Sequence, residues 1–236
     1  MNPTTISRLL ELNRQFYQAF AIPFSATRQR LQPGVIKILE QISPKDDLLD
    51  LGCGNGELAR ELARCGQAGC YTGLDFSPTL LSEARVGAPD NFRFILADLS
   101  GATWDTDLAG DLFDAVFAFA VLHHLPGKEM RLELMGKVKR LLKPGGRFIQ
   151  SEWQFLNSPR LVARQQPWDT IGLSNDDVDP GDYLLDWRQG GTGLRYVHHF
   201  SEPELAELAA QVGFEVVESF LSDGENARLG LYQVWK

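Results

Sequence analysis

Three glycines at alternate positions, Gly52, Gly54 and Gly56, follow Asp50 at the end of an apolar run and precede a helix-like segment in "LLDLGCGNGELARELA" (48–63). Backbone without side chains lets a ligand lie against it. The spacing is neither the G-x-G-x-x-G of dinucleotide folds nor the G-x-x-x-x-G-K-[ST] of triphosphate loops. No Lys or phosphate-binding Ser or Thr accompanies it, so a nucleoside without a phosphate suits the loop better. Asp75 closes the next apolar run, nineteen residues beyond Gly56, and Asp98 follows the third, "FILADLS". Asp75 could accept hydrogen bonds from both hydroxyls of a ribose. Asp98 could reach an exocyclic amine, and Phe76 could cover a purine face. Each Asp alone also fits a cap or turn; three in register at successive strand ends are harder to explain that way.

The elements that must hold these residues alternate. Apolar periodicity predicts a helix over 6–20, broken at Pro23, and another over 33–42 that starts at Pro33. Strands follow at 47–51, 70–74, 92–96, 113–119 and 146–152, with helices at 57–65, 78–85 and 128–142. Apolar strands separated by helices indicate a parallel sheet covered on both faces. Residues 153–195 lose this regularity and read as a long Asp-, Gly- and Pro-rich insertion loop with short structured pieces, functional or mobile. "SEPELAELAAQVGF" (201–214) carries Ser201 as N-cap and Glu204 as the partner of a capping box. Strands 215–221 and 229–235 close the chain as an antiparallel pair. The expected fold is α/β: a doubly wound, mostly parallel seven-stranded sheet with an antiparallel C-terminal pair, in one domain over 1–236. Residues 1–44 form an N-terminal helical cap, and 153–200 an insertion between strands five and six on the substrate side.

The 236 residues carry a net charge of −8, which argues against binding nucleic acid or an anionic membrane by bulk attraction. Three cysteines without a C-x-x-C pair indicate neither a disulfide framework nor zinc, and reduced thiols point to the cytoplasm. The first residues show no signal-peptide pattern, and no apolar run reaches the ~18 residues of a membrane span. The acids Asp176, Asp177, Asp179 and Asp182 lack EF-hand spacing and read as a solvated loop, with no metal expected. Between 128 and 165, nine basic residues face three Glu. That excess could meet RNA phosphates or could be the wet face of the fourth helix. Trp104, Trp153, Trp168 and Trp235 are assigned to packing.

Taken in order, "LLDLGCGNG", "GLDFS", "ILADLS", "FDAVFAFAVLHHL" and "LLKPGGRF" resemble the class I S-adenosylmethionine-dependent methyltransferases over residues 45–152. The resemblance implies a Rossmann-like fold and S-adenosylmethionine as cofactor. It places Asp50, Gly52 and Gly54 along the methionine part, Asp75 on the ribose, and Asp98 with Leu99 on the adenine. Ala118 and Phe119 would flank the sulfonium.

The flanks resemble the subfamily that methylates the carboxymethyl group on the wobble uridine of tRNA. Four elements carry this: Phe24 to Arg28, His123–His124, Tyr183 to Trp187, and Arg195 to His198, with Val197 where an aromatic is common. Methyl transfer from a sulfonium is an in-line displacement in which positioning is most of the task. A carboxylate acceptor, with a pKa near ~4, needs no general base. It needs a cation to fix one oxygen, which nominates Arg28 and Arg195. His123 and His124 would position groups near the sulfonium; Tyr17, Trp187, Tyr196 and His198 would border the acceptor. Arg28 equally fits a surface ion pair, one histidine a structural role, and Trp187 a core or lid. The acceptor is thus modified tRNA or a small-molecule carboxylate or hydroxyl, with a small partner subunit suggested by eukaryotic family members and no DNA or membrane. A protein that binds the cofactor without turnover is the reading from another class.

Overall fold

In the computed structural model, which describes residues 1–26 and 30–236 and not the side chains of 21–26, seven strands form one sheet. They are β1 (Leu48–Leu51), β2 (Tyr71–Asp75), β3 (Phe92–Leu96), β4 (Phe113–Phe119), β5 (Leu142–Trp153), and, near the C-terminus, β9 (Val216–Ser222) and β10 (Gly230–Trp235). Their order is β3-β2-β1-β4-β5-β10-β9. The first five run parallel, and β10 pairs antiparallel with both β5 and β9. The expected seven-stranded architecture is therefore present.

Alternation along the strands sends side chains to two apolar layers. On one face Leu49, Val116, Phe148 and Trp235 pack against Leu134 and Val138 of α5 (Lys128–Leu141) and Leu205 and Leu208 of α7 (Glu202–Gln211). On the other, Leu48, Tyr71, Phe117 and Ile149 pack against α2 (Pro33–Leu39), α3 (Glu57–Arg64) and α4 (Pro78–Ala84) through Ile38, Leu62 and Leu81. Because β1, β2 and most of β4 are covered on both faces, their ends are where polar groups emerge.

Two elements depart from the expectation. The first helix, α1, runs Pro3–Ala26, past the expected break, with a kink at Phe20 (φ −115°). The segment expected to be a loop holds a second sheet of three antiparallel strands, β6 (Gln165–Gln166), β7 (Asp182–Trp187) and β8 (Gly193–His198), after the short helix α6 (Pro159–Val162). Strands this short, set among turn residues, give little periodicity to read. α1 lies on β8 and buries Leu9 with Trp168, Leu184 and Tyr196.

Candidate active site

Beyond the carboxyl ends of β1, β2, β3 and β4 lies a cleft of about 550 Å³. Its floor is the glycine loop. The amides of Gly52 and Cys53 both donate to the Leu74 carbonyl, 2.8 and 2.9 Å away, which hooks the loop over the end of β2. Gly52 (φ +73°) has no room for a side chain, since a Cβ there would stand 2.8 Å from Val121 Cγ2. At Gly54 (φ +56°) a Cβ would meet nothing within 4 Å. The bare loop is thus tight on one side and open on the other.

The three acids sit at three adjacent strand ends and all border the cleft. Asp50 is buried and accepts a hydrogen bond from the Tyr71 hydroxyl at 2.6 Å. Burial pushes its pKa to about 7; that hydrogen bond opposes the rise and the nearby Asp75 adds to it. Asp75 accepts the Gly54 amide at 2.9 Å and the Ser77 amide at 2.8 Å. Burial raises its pKa, partly offset by those donors. Asp98 is more open: burial pushes it upward, but bonds from Ser100 and Arg14 outweigh that and hold it low. Phe76, Leu99 and Phe119 complete the apolar walls.

After β4 the chain turns sharply. Ala120 adopts φ +57°, a left-handed conformation costly for a residue with a Cβ. Ser151 of β5 holds it there: the Ala120 amide donates to the Ser151 carbonyl (2.9 Å) and Oγ (3.2 Å). One 3-10 turn later, Glu152 Oε2 accepts the His123 amide at 3.1 Å and lies 2.7 Å from its Nδ1. Two consecutive residues of β5 therefore shape the loop that carries His123 and His124 into the cleft.

α1 forms the roof. Arg14 bonds Asp98 at 2.9 Å, Asn13 bonds the main chain of Tyr196 in both directions, and the Tyr17 hydroxyl lies 2.7 Å from His124 Nε2. Beside them, Arg195 lies in the wall with its guanidinium 4.6 Å from the Trp153 ring and 5.5 and 5.6 Å from those of Phe16 and Trp187. Aromatic faces on several sides hold the guanidinium in place at the border of the cleft.

Of the residues expected here, Asp50, Gly52, Gly54, Asp75, Phe76, Asp98, Leu99, Phe119, Tyr17, His123, His124 and Arg195 meet around this one cleft. Four do not. Ala118 points into the core, because alternation along β4 gives the cleft Phe119 instead. Trp187 stands one layer out, against Phe16 and Arg195, with its indole N–H on the Gln189 carbonyl. Tyr196 and His198 belong to a buried charge network. The Tyr196 hydroxyl donates to Asp182 Oδ1 at 2.7 Å and accepts from Arg131 at 3.1 Å. His198 joins Asp182 (2.6 Å) and Glu204 (2.8 Å). Asp182 is thus no solvated loop acid, and Glu204 bonds His198 while its amide takes the Ser201 cap at 3.3 Å, so the capping box is half made. Arg28 lies outside the described residues. Trp153, expected to serve packing, borders the cleft against Arg195, and Arg14 and Glu152 were missed. A carboxylate in the apolar strand "FIQSEW" was the available signal for Glu152.

The methyltransferase-domain family matches residues 24–219. A putative methyltransferase of Encephalitozoon cuniculi is 29% identical over 206 residues, 86% of this chain and 87% of that protein. The tRNA (carboxymethyluridine(34)-5-O)-methyltransferase of Arabidopsis thaliana is 30% identical over 137 residues, 58% of this chain and 31% of that protein. In structure, the Burkholderia thailandensis 1,6-didemethyltoxoflavin-N1-methyltransferase, solved with S-adenosylhomocysteine, superposes with a TM-score of 0.67 at 20% identity, covering 100% of this chain and 90% of that one. A Methanosarcina mazei S-adenosylmethionine-dependent methyltransferase gives 0.63 at 23% identity, covering 87% and 97%. With the glycine loop, the acids at adjacent strand ends and this sheet order, the match over most of its length means that the chain belongs to the methyltransferase-domain family, as an S-adenosylmethionine-dependent methyltransferase of class I fold.

Proposed function

We propose that the protein methylates a carboxylate oxygen, and that the acceptor is the carboxymethyl group of a wobble uridine in tRNA. The observation that carries this reading is Arg195, a buried guanidinium ringed by Phe16, Trp153 and Trp187 at the edge of the cleft. When bound, S-adenosylmethionine supplies a methyl group on a sulfonium. The residues fit it. Gly54 leaves open space for the methionine part beside Asp50 and Gly52, Asp75 stands where a ribose would lie, and Asp98, Leu99 and Phe76 surround the adenine place. Phe119, in the cleft wall, would border the sulfonium. On the acceptor side Arg195 would fix one carboxylate oxygen while the other faces the methyl, and Tyr17 would hold His124 in place.

The tRNA-directed relatives support the acceptor, although the chain spans only about a third of the Arabidopsis protein's length. One observation favours a second reading, a small-molecule carboxylate or hydroxyl. Seven of the nine basic residues between 128 and 165 are engaged inside the protein: Arg131 and Lys137 are buried, Lys128 and Lys143 pair with acids, and Lys139, Arg140 and Arg147 reach backbone carbonyls. Each of these seven charges already has a partner within the chain, which a phosphate would have to compete with. Incubation with labelled cofactor and total tRNA, followed by nucleoside mass spectrometry, separates the two. Label in a methyl ester of carboxymethyluridine supports the first, and label only in a metabolite extract the second. A parallel arm adds a cell extract to supply any partner subunit.

A further inference from the structure

Glu152 is a buried carboxyl in the cleft wall for which the proposed chemistry has no task. It is 1% exposed and borders the cleft. Its Oε2 meets His123 twice, at the amide nitrogen (3.1 Å) and at Nδ1 (2.7 Å). Among the described residues its buried Oε1 has no hydrogen-bond partner, although the Leu122 amide also acts on this carboxyl. Half of an ionised carboxylate left without a donor is a costly arrangement, whereas the carbonyl oxygen of a neutral carboxyl tolerates it far better. Burial also pushes this carboxyl well above the usual range, against the opposing pull of the His123 amide and the charges of Arg131 and His198.

Position selects where the proton goes. A hydroxyl at Oε2 can donate to Nδ1 and still accept the His123 amide on its remaining lone pair. A hydroxyl at Oε1 would bury a donor without an acceptor. With Nδ1 accepting, the ring proton moves to Nε2, on the side turned away from Glu152.

We propose that Glu152 is a positioning residue that fixes His123 in its Nε2–H form, so that the pair offers the acceptor side of the cleft a neutral hydrogen-bond donor suited to an oxygen that is already anionic. Arg195 brings the charge, and His123 a second donor without a second charge. A hydroxyl or amine acceptor would meet a donor where it needs a base. The identity of the ligand rests on the carboxylate reading; the form of the ring does not.

Nitrogen-15 NMR of the histidines tests this on the intact chain saturated with S-adenosylhomocysteine, with His123→Asn identifying the signal. The wild type should show Nε2 protonated and Nδ1 bare. Glu152→Gln should show the reverse. The atom facing His123 must accept its amide N–H, so the side-chain carbonyl takes that place and can only accept from Nδ1. The variant buries its amide NH2 where Oε1 was, so its melting temperature should fall; it should keep its affinity for S-adenosylhomocysteine, while KM for 5-carboxymethyluridine rises about tenfold, the worth of one hydrogen bond. A wild-type ring protonated at Nδ1, or at both nitrogens, overturns the proposal. So does one and the same form in both proteins. Should 5-carboxymethyluridine never be methylated, the acceptor reading fails and the NMR result stands by itself.

Discussion

Asp75 Oδ2 lies 2.9 Å from the amide nitrogen of Gly54, so the acid at the end of β2 props up the glycine loop that leaves β1. Its other oxygen takes the Ser77 amide at 2.8 Å, which ties the same carboxylate to the start of α4. One side chain thus fixes two of the segments that border the cofactor place.

Asp75→Asn keeps the shape but replaces one acceptor oxygen with a donor that faces an amide N–H. Affinity for S-adenosylhomocysteine should fall by about 2 kcal/mol, roughly thirtyfold. Calorimetric titration checks it, and unchanged affinity would remove Asp75 from the binding site.

Asp50 links binding to pH. Its carboxyl is pushed up to about 7 in the free protein by burial. A ligand that brings an ammonium beside it favours the carboxylate, so below pH 7 a proton must leave on binding. Affinity for S-adenosylhomocysteine should therefore weaken as pH falls below about 7, by up to tenfold per unit. The folded pKa is raised above the ordinary 3.8. The same group therefore contributes stability that is fully present below 3.8 and lost as pH rises through about 7. Asp50→Asn should flatten both dependences, read by calorimetry and by denaturant titration across pH 5 to 8.

Arg195→Met keeps the apolar stem between Trp153 and Trp187 and removes the charge. Turnover should drop by about 3 kcal/mol in transition-state stabilisation, on the order of a hundredfold, as expected for a charged hydrogen bond. Cofactor affinity should change less than about twofold. Steady-state kinetics beside calorimetry gives both numbers, and equal losses in the two would place Arg195 on the cofactor instead.

Arg131 is 2% exposed. It reaches the Leu125 carbonyl at 2.9 Å and the Tyr196 hydroxyl at 3.1 Å, and approaches Asp182 at 3.8 Å and Glu204 at 3.7 Å. Arg131→Ala would leave Asp182 buried beside fewer cations and should cost about 3 to 5 kcal/mol of stability. Urea unfolding measures it. A loss under about 1 kcal/mol would show that His198 alone satisfies Asp182.

Tyr17→Phe removes only the hydroxyl near His124. Its ring still packs edge-on against Phe16 and Phe76. Acceptor turnover should fall about fivefold with cofactor affinity intact, again by kinetics and calorimetry.

The parts that could be read in advance are those governed by short-range rules. Glycine spacing located the loop, and the acid at each strand end located Asp50, Asp75 and Asp98, because a doubly covered strand can expose polar groups only at its ends. Resemblance was the weaker guide: it named Ala118 beside Phe119, whereas alternation along β4 turns Ala118 into the core and leaves Phe119 and the strained Ala120 at the cleft. Tyr196 and His198 were misplaced for another reason. Residue type announces that a group needs partners, but not whether those partners are a ligand or Asp182, Arg131 and Glu204 from distant segments. Glu152 carried its signal, a carboxylate inside an apolar strand, but was counted only as a charge; Trp153 was assigned to packing because nothing local separates a cleft-facing indole from a packed one.

α1 ties three parts of the cleft wall together. Within five residues, Asn13, Arg14 and Tyr17 reach Tyr196 of the insertion, Asp98 after β3 and His124 after β4. Fastenings that stand on one stretch of helix depend on one another, so a change that unwinds this stretch would unseal the cleft along its whole length and not at one end alone.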